Sequence, residues 1–198
     1  MLKPTLYTIA KTLDESPYPL FTTPYSVNLG GIRNVQELQS NKFNDFLYAF
    51  YTDLSGQLIG YVAKATTDPG LYWRENLINV NGTAILKKGH YKSCYQLKEN
   101  GHKGYKAFRQ VQEMEYYRDS NRDSDLNLIG ETYKENALTN IHAAGIASLN
   151  VDKWSAGCQV VGSRHDWLRI LYIADQQANN GLGNQFSYTL FDSSEIKT

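Results

Sequence analysis

The sequence predicts one mostly β domain over residues 1–198, with helices at its edges. Between residues 43 and 118, short runs rich in Tyr, Phe and Val alternate with turn residues at close spacing, which is typical of a β-sandwich or barrel. Residues 163–181 carry a longer helical pattern. No internal repeat, low-complexity tract or linker divides the 198 residues, which favours a single domain.

Residues 1–40 are predicted to form an irregular and helical segment that packs on this domain. An apolar stripe at helical spacing predicts a short first helix, and it consists of Leu2, Leu6, Ile9 and Leu13. Three prolines then favour an extended passage, namely Pro17, Pro19 and Pro24. Asn34 with Glu37 three residues later has the form of a capping box, so NVQELQ is predicted to be a second short helix.

The strand region begins with a hairpin. FLYAFYTD and QLIGYVAKAT are predicted strands, joined by a turn around Gly56. Further strands are predicted at TAIL, HYKSCYQL, YKAFRQV, MEYYRD and FSYTLFD. The long helix is predicted to begin after Ser163 as N-cap, with Asp166 at the third position, and to stop at Gly181. Its apolar stripe consists of Trp167, Ile170, Leu171 and Ala174.

Composition excludes several classes of partner. The chain has 20 basic and 20 acidic residues, a net charge of +0, so nothing in its bulk charge favours nucleic acid or an anionic membrane. No apolar run is long enough for a signal-peptide core or for a membrane span of roughly 18 residues. We therefore expect a monomer without membrane insertion, made in the cytoplasm and acting elsewhere only if another system delivers it. The 2 cysteines make no disulfide framework.

Two metal sites are weak alternatives. Residues 119–125, DSNRDSD, resemble the start of a calcium loop, but Ser124 and Gly130 stand where Gly and an acidic ligand are needed. We expect a solvated polar turn there. A zinc site would need ligands that lack the usual spacing, namely His90, His102, His142 and Cys158. We therefore predict an enzyme without metal or cofactor. A zinc amidase is kept as an alternative, third after the two functions given below.

The stretch with the strongest chemical signal is IHAAGIASLNVDKWSAGCQVV, residues 141–161. A cysteine nucleophile needs a nearby base and backbone N–H groups that stabilise an oxyanion. Ala156 and Gly157 place little bulk beside Cys158, and a loop of about fifteen residues could bring His142 next to the thiol at the ends of neighbouring strands. A buried structural Cys and a hydrogen-bonded structural His are the alternative interpretation.

The same residues resemble the L,D-transpeptidase catalytic domain family. That family carries a His, a loop and then Ser-His-Gly-Cys; here His142 precedes Cys158 by 16 positions (158 − 142), and Ser155 and Gly157 match the motif. TTDPG at 66–70 loosely matches an upstream turn of the family. The resemblance implies an L,D-transpeptidase-like β-sandwich with one helix after the catalytic Cys. The blocks ATTDPG, NVNGTAILKKGHY, YRDSNRD, NIHAAG and WSAGCQV also look like those of short phage and prophage proteins that act on the bacterial wall.

The resemblance implies cysteine-dependent acyl transfer on peptidoglycan stem peptides. Cys158 would be the nucleophile and His142 the base. The N–H groups of Gly157 and Cys158 would bind the oxyanion, and Ser155 would shape the turn and orient His142. Substrate contacts are expected from Trp154, Ala156 and Gln159.

The chain departs from the family pattern at two points. Ala156 replaces the second His, and Gln159 and Val160 stand where an Arg often binds a substrate carboxylate. We therefore expect hydrolysis, as in an endolysin-type L,D-peptidase, rather than cross-linking. The alternative function is a non-catalytic wall-binding or virion protein with a degenerate fold.

Overall fold

The structure is a computed structural model and describes residues 1–38, 41–146 and 148–197. Its helices are α1 (Leu6–Asp14), α2 (Leu71–Glu75) and α3 (Arg164–Asn179). The first strands are β1 (Asn28–Arg33), β2 (Asp45–Thr52), β3 (Leu58–Thr66), β4 (Thr83–Leu86), β5 (Gly89–His102) and β6 (Tyr105–Gln110). The remaining strands are β7 (Met114–Asp119), β8 (Thr132–Glu135), β9 (Ile141–Ala143), β10 (Gln159–Val161) and β11 (Gln185–Asp192).

The domain is mostly β, as the sequence predicts. Eight strands close a barrel in the order β1-β11-β5-β6-β9-β10-β3-β2, and β4, β7 and β8 form a separate three-stranded sheet. The β-sandwich is not confirmed, since one closed barrel holds most of the strands. Closure depends on the parallel pairing of β1 with β11, which lie at opposite ends of the chain. Short strands and tight turns fit either architecture, so the local pattern does not distinguish them.

The main core lies on one face of the barrel strands and includes the apolar side of α3. Trp167 and Ile170 of α3 join Leu47 and Ala63 of β2 and β3 in this cluster. The helix begins as predicted, because the Ser163 side chain accepts a hydrogen bond from the backbone N–H of Asp166. Within the residues that the structure describes, no helix is long and apolar enough to cross a membrane.

A second core cluster lies on the opposite face of β2 and β3 and is covered by α1. Ile9 and Leu13 of the helix pack with Phe46 and Phe50 of β2. The helix begins at Leu6, with Thr5 as its N-cap, whereas the predicted stripe began at Leu2. The N-terminal segment therefore packs on the domain through the part of that stripe that follows Leu2.

The prediction for residues 1–40 is wrong at two places. Residues 28–33, NLGGIR, form a barrel strand and not an irregular segment. A Cβ on Gly30 would lie 2.2 Å from the Thr189 carbonyl oxygen, so the glycine that weakens the strand pattern is required by close packing. No helix forms over residues 34–38, and residue 39 lies outside the described residues. The backbone N–H of Asn34 donates instead to Asp45 Oδ1, at 2.7 Å.

Two hairpins follow their turn residues. The predicted turn around Gly56 joins β2 to β3, and Gly56 has a φ of 84°. Lys103 and Gly104 join β5 to β6 with φ values of 44° and 85°. Positive φ at both central positions is the requirement of a type I′ turn. This second turn fixes the end of β5, where His102 lies.

Candidate active site

The loop between the two candidate residues joins neighbouring strands. β9 and β10 are parallel, and His142 is the register partner of Val160. Cys158 lies two residues before Val160, immediately before β10 begins. At ordinary strand spacings the Cα atoms of Cys158 and His142 are therefore about 8 Å apart. Register partners project to the same face, which places His142 beside Val160. Cys158 precedes the strand and packs against the cluster that contains Val160.

His142 is held in one tautomer. Its Nδ1 lies 2.9 Å from the backbone carbonyl oxygen of Ala143, and because a carbonyl only accepts, Nδ1 carries the proton. The Tyr105 hydroxyl lies 3.3 Å from the same Nδ1 and donates to the Ala143 oxygen at 3.3 Å. The His102 ring stacks on the His142 ring, with centroids 3.9 Å apart and planes at 6°. Nε2 therefore carries the free lone pair of a fixed imidazole.

The environment of His142 keeps it neutral. The side chain is 1% exposed, and among the described residues its Nε2 has no hydrogen-bond partner. Burial lowers the pKa of His142 to about 3, and the neighbouring His102 lowers it further, while the bond to Ala143 opposes the change. Nε2 is therefore unprotonated at neutral pH, as a general base must be, but a pKa this far below neutral also makes it a weak base in this state.

Cys158 lines a cleft of about 230 Å³ between the barrel and the three-stranded sheet. The other residues that line this cleft are Trp73, Ile78, Asn79, Gly82, Thr83, Ala84, Arg118, Ala137, Leu138, Thr139 and Ala156. Burial raises the pKa of the Cys158 thiol to about 11, against the opposing effects of the Asn140 backbone N–H and of Lys103. The thiol is therefore protonated at neutral pH.

The thiol and the imidazole are not hydrogen-bonded to each other, since His142 Nε2 has no partner in the described part of the chain. With a pKa of about 11 for Cys158 and about 3 for His142, both groups are neutral at rest. A preformed thiolate–imidazolium pair is thus absent from this state. Activation of the thiol would require the proton to move as the sulfur attacks.

The turn before Cys158 is organised by Ser155, whose side chain is buried. The Ser155 hydroxyl donates to the Cys158 carbonyl oxygen at 2.7 Å and accepts the Gly157 N–H at 3.2 Å. Ser155 therefore shapes the turn, but Ala143 and Tyr105, rather than Ser155, orient His142. Because the Gly157 N–H is already bound, the expected pair of oxyanion donors is reduced to the Cys158 N–H in this state.

Gly157 is required where it stands. Its φ is 123°, and a Cβ there would lie 2.7 Å from the Ala84 carbonyl oxygen of β4. The small residue before the thiol thus serves the close approach of β4 as well as access to Cys158.

The three expected substrate contacts lie in different places. Ala156 lines the Cys158 cleft. Trp154, 42% exposed, lines a separate cavity of about 450 Å³ together with Tyr105 and Arg164. Gln159 is buried, and its Oε1 accepts a hydrogen bond from the Tyr188 hydroxyl of the main core. Neither Trp154 nor Gln159 therefore lines the Cys158 cleft, which corrects that expectation. Gln159 begins β10 and faces the side opposite to Val160, whereas Trp154 ends the 3-10 turn Asp152–Trp154 ahead of the Ser155 turn.

The zinc alternative gains little from the geometry. His102 and His142 are stacked, but His90 lies at the other end of β5, where its Nδ1 is 2.9 Å from the Thr189 hydroxyl. Among the described residues, no group of three or more His, Cys, Asp or Glu side chains could hold a metal ion. In residues 119–125, the Asp123 side chain instead binds its neighbours Asn121 and the Asp125 N–H.

Sequence reasoning missed three side chains around the pair. His102 and Tyr105 flank the turn between β5 and β6, and Arg118 on β7 lines the Cys158 cleft. The sequence suggests only a zinc-ligand role for His102. The turn residues Lys103 and Gly104 mark a hairpin, but pairing of that hairpin with β9 is what brings its end to His142.

A pH dependence of stability follows from the buried imidazole. In the unfolded chain His142 binds a proton near its ordinary pKa of 6.5, whereas in the fold its pKa is lowered to about 3. Protons therefore favour the unfolded state as the pH falls below 6.5. Between about pH 7 and about pH 4 the wild type should lose about 3 kcal/mol of unfolding free energy relative to His142→Asn.

Urea unfolding of the two proteins at both pH values measures this difference, and effects of groups common to both proteins cancel. Parallel pH dependences would contradict a neutral, buried His142.

A scan of protein-family models, a search of curated proteins and a search of solved structures each found no match to this chain.

Proposed function

We propose that the protein is a cysteine-dependent acyl-transfer enzyme that acts on peptidoglycan stem peptides, and that it releases products by hydrolysis. The observation that carries the proposal is the imidazole of His142. Its Nδ1–H is bound to the Ala143 carbonyl, and its unprotonated Nε2 is buried without a partner among the described residues. His142 is the register partner of Val160, and Cys158 packs against the cluster that contains Val160. A buried polar atom without a partner costs free energy. Such atoms are rare in folded proteins, and a catalytic role is one of the reasons for which they are retained.

The proposed reaction begins with neutral groups. Cys158 Sγ attacks the substrate carbonyl carbon while its proton passes to His142 Nε2. The Cys158 N–H meets the developing oxyanion. Collapse of the tetrahedral intermediate breaks the C–N bond, and the imidazolium returns the proton to the leaving amine. Water, deprotonated by His142, then cleaves the thioester and regenerates the thiol.

This sequence of steps requires a small movement of the thiol or the imidazole. Because the His142 ring is held by the Ala143 carbonyl and by the His102 ring, the thiol is the group that would move towards Nε2. Substrate in the cleft would displace water and fix that position of the thiol. Apo contacts of this kind commonly tighten when substrate binds.

The choice of substrate and of fold family rests on the sequence resemblance. The L,D-transpeptidase family acts on stem peptides, and the His, Ser, Gly and Cys of its motif correspond to His142, Ser155, Gly157 and Cys158. The proposal includes a divergent form of that fold, in which the strands around the motif close into a barrel. Hydrolysis is preferred because the chain also resembles short phage and prophage proteins that act on the wall; Gln159, one of the two residues where the motif's Arg would stand, faces the core.

Digestion of purified peptidoglycan tests the function. Wild-type protein should release stem-peptide fragments, detected by mass spectrometry of the soluble fraction, at the same rate with and without a metal chelator. Products that carry a new amide bond in place of a free carboxylate would show transpeptidation. Activity that is lost with chelator and restored by zinc would support the zinc amidase, and the absence of any released or exchanged fragment would contradict the proposal.

A non-catalytic wall-binding or virion protein is the second candidate. The absence of a hydrogen bond between Cys158 and His142, and the raised thiol pKa of about 11, favour it. Wild-type protein that sediments with peptidoglycan sacculi and releases nothing would support this candidate.

A further inference from the structure

We propose that Arg118 makes the Cys158 cleft selective for acyl donors that carry a carboxylate close to the scissile carbonyl. The inference rests on the proposed function, because it assigns a substrate class to that same site. Arg118 belongs to β7 of the three-stranded sheet and lines the cleft opposite the barrel strands. Of the side chains in the described part of the chain that line this cleft, Arg118 is the charged one.

The guanidinium is fixed by two neighbours. Its Nε and Nη2 both donate to Glu135 Oε1, at 3.0 and 2.6 Å, and its Nη1 donates to the Gly82 carbonyl oxygen at 2.9 Å. The Arg118 side chain is 9% exposed, whereas that of Glu135 is 33% exposed. Since the arginine is the more buried partner, it is the part that stays in place when a ligand enters.

The fixed guanidinium still has donors to offer. It carries five N–H groups, one on Nε and two on each terminal nitrogen. Glu135 binds the Nε–H and one Nη2–H, and Gly82 binds one Nη1–H. One N–H on each terminal nitrogen is therefore left without a partner among the described residues. Two such donors match the two oxygens of a carboxylate, which arginine binds in a bidentate manner.

The charge at this cleft comes from Arg118 rather than from the strand that follows Cys158. Gln159 is turned into the core, so its side chain does not reach an anion in the cleft. Arg118 supplies a positive charge from the opposite wall. The remaining walls are largely apolar and include Trp73 and Ile78, so the charge of Arg118 is poorly screened when a substrate fills the cleft.

Two alkylating reagents that differ in charge test the proposal without a substrate. Iodoacetate is an anion that carries a carboxylate, and iodoacetamide is its neutral analogue. Their relative rates at Cys158 are read by peptide mapping at one mildly alkaline pH. The ratio cancels any change in thiol pKa, because both reagents react with the same thiolate.

In Arg118→Gln the iodoacetate-to-iodoacetamide ratio should fall about three- to tenfold, as expected for loss of one charge at the distance of a cleft wall. Glu135→Gln should raise the ratio, because it removes the opposing carboxylate. Arg109→Gln, which alters an exposed arginine on β6, is the matched control and should leave the ratio unchanged. An unchanged ratio in Arg118→Gln would overturn the proposal, as would an equal fall in Arg109→Gln. If Arg118→Gln does not fold, failure of the ratio to rise in Glu135→Gln overturns it.

The substrate readout separates this proposal from the proposed function. With stem peptides as donors, Arg118→Gln should lose about tenfold or more in kcat/KM for the free carboxylate and little for its amide. A charge-dependent labelling ratio in a protein that cleaves no stem peptide would retain the anion site and contradict the proposed function alone. Equal losses on acid and amide would reject Arg118 as the carboxylate-binding residue.

Discussion

Cys158→Ala should abolish the release of stem-peptide fragments from purified peptidoglycan while leaving sedimentation with the wall intact. An acyl-enzyme route has an absolute need for its nucleophile, whereas binding to the wall has none. Alanine removes only the sulfur, and the turn before it is held by Ser155 and Gly157, so the fold should persist. Fragment release is measured by mass spectrometry, and binding by pelleting with sacculi.

Two further variants sharpen this result. His142→Ala should slow fragment release by about 10²–10⁴-fold, the usual effect of losing a general base. Cys94→Ala is the matched thiol control, because Cys94 lies buried in the main core away from the cleft, and it should retain activity. Full activity in Cys158→Ala would reject the nucleophile outright.

Asp68→Ala should destabilise the fold by about 3–5 kcal/mol, the usual effect of breaking a buried ion pair from one side. Arg33 Nε donates to Asp68 Oδ1 at 2.7 Å, and the arginine side chain is 1% exposed. Its Nη2 also donates to the Leu86 carbonyl oxygen at 2.8 Å, so one guanidinium connects a barrel strand to the three-stranded sheet. Without Asp68 a buried cation loses its counter-charge.

Chemical denaturation of Asp68→Ala measures this loss. The double variant Arg33→Met with Asp68→Leu is the control, since it leaves neither member of this pair buried without the other and should recover part of the stability. A single variant as stable as the wild type would show that Arg33 finds another partner or reaches water. The single and the double variant also test the Cys158 cleft indirectly, because the three-stranded sheet that Arg33 holds to the barrel forms one wall of that cleft.

Local patterns predicted much of the secondary structure. The alternation in FLYAFYTD and QLIGYVAKAT, with Gly56 between them, corresponds to β2 and β3. Ser163 and Asp166 correspond to the observed start of α3. These features depend on residues close in sequence, such as caps and turns, whose effect is the same in any fold.

The parts that the sequence did not predict depend on distant contacts. β1 contains Gly30 and Gly31, which argue against a strand, yet Tyr48 and Tyr188 leave no room there for a larger residue. Barrel closure joins β1 to β11 across most of the chain. A local pattern cannot encode either contact.

The candidate site also has a part that the sequence predicted and a part that it did not. The loop from His142 to Cys158 joins neighbouring strands, so its length was informative about their adjacency. Trp154 and Gln159 are close to Cys158 in sequence, but strand alternation and the turn direct them elsewhere. Arg118 enters the cleft from another sheet, 40 residues (158 − 118) before the cysteine, and no spacing rule connects the two.

The central claim is that Cys158 forms an acyl-enzyme with His142 as its base. Its most direct test is to measure the mass of the protein after the reaction with stem peptide is quenched rapidly with acid. We expect a covalent adduct equal to the acyl part of the peptide, mapped to the fragment that contains Cys158 and absent from Cys158→Ala. His142→Ala should form the same adduct more slowly. Turnover of stem peptide by wild-type protein with no adduct at any quench time, or an adduct on another residue, would contradict the account.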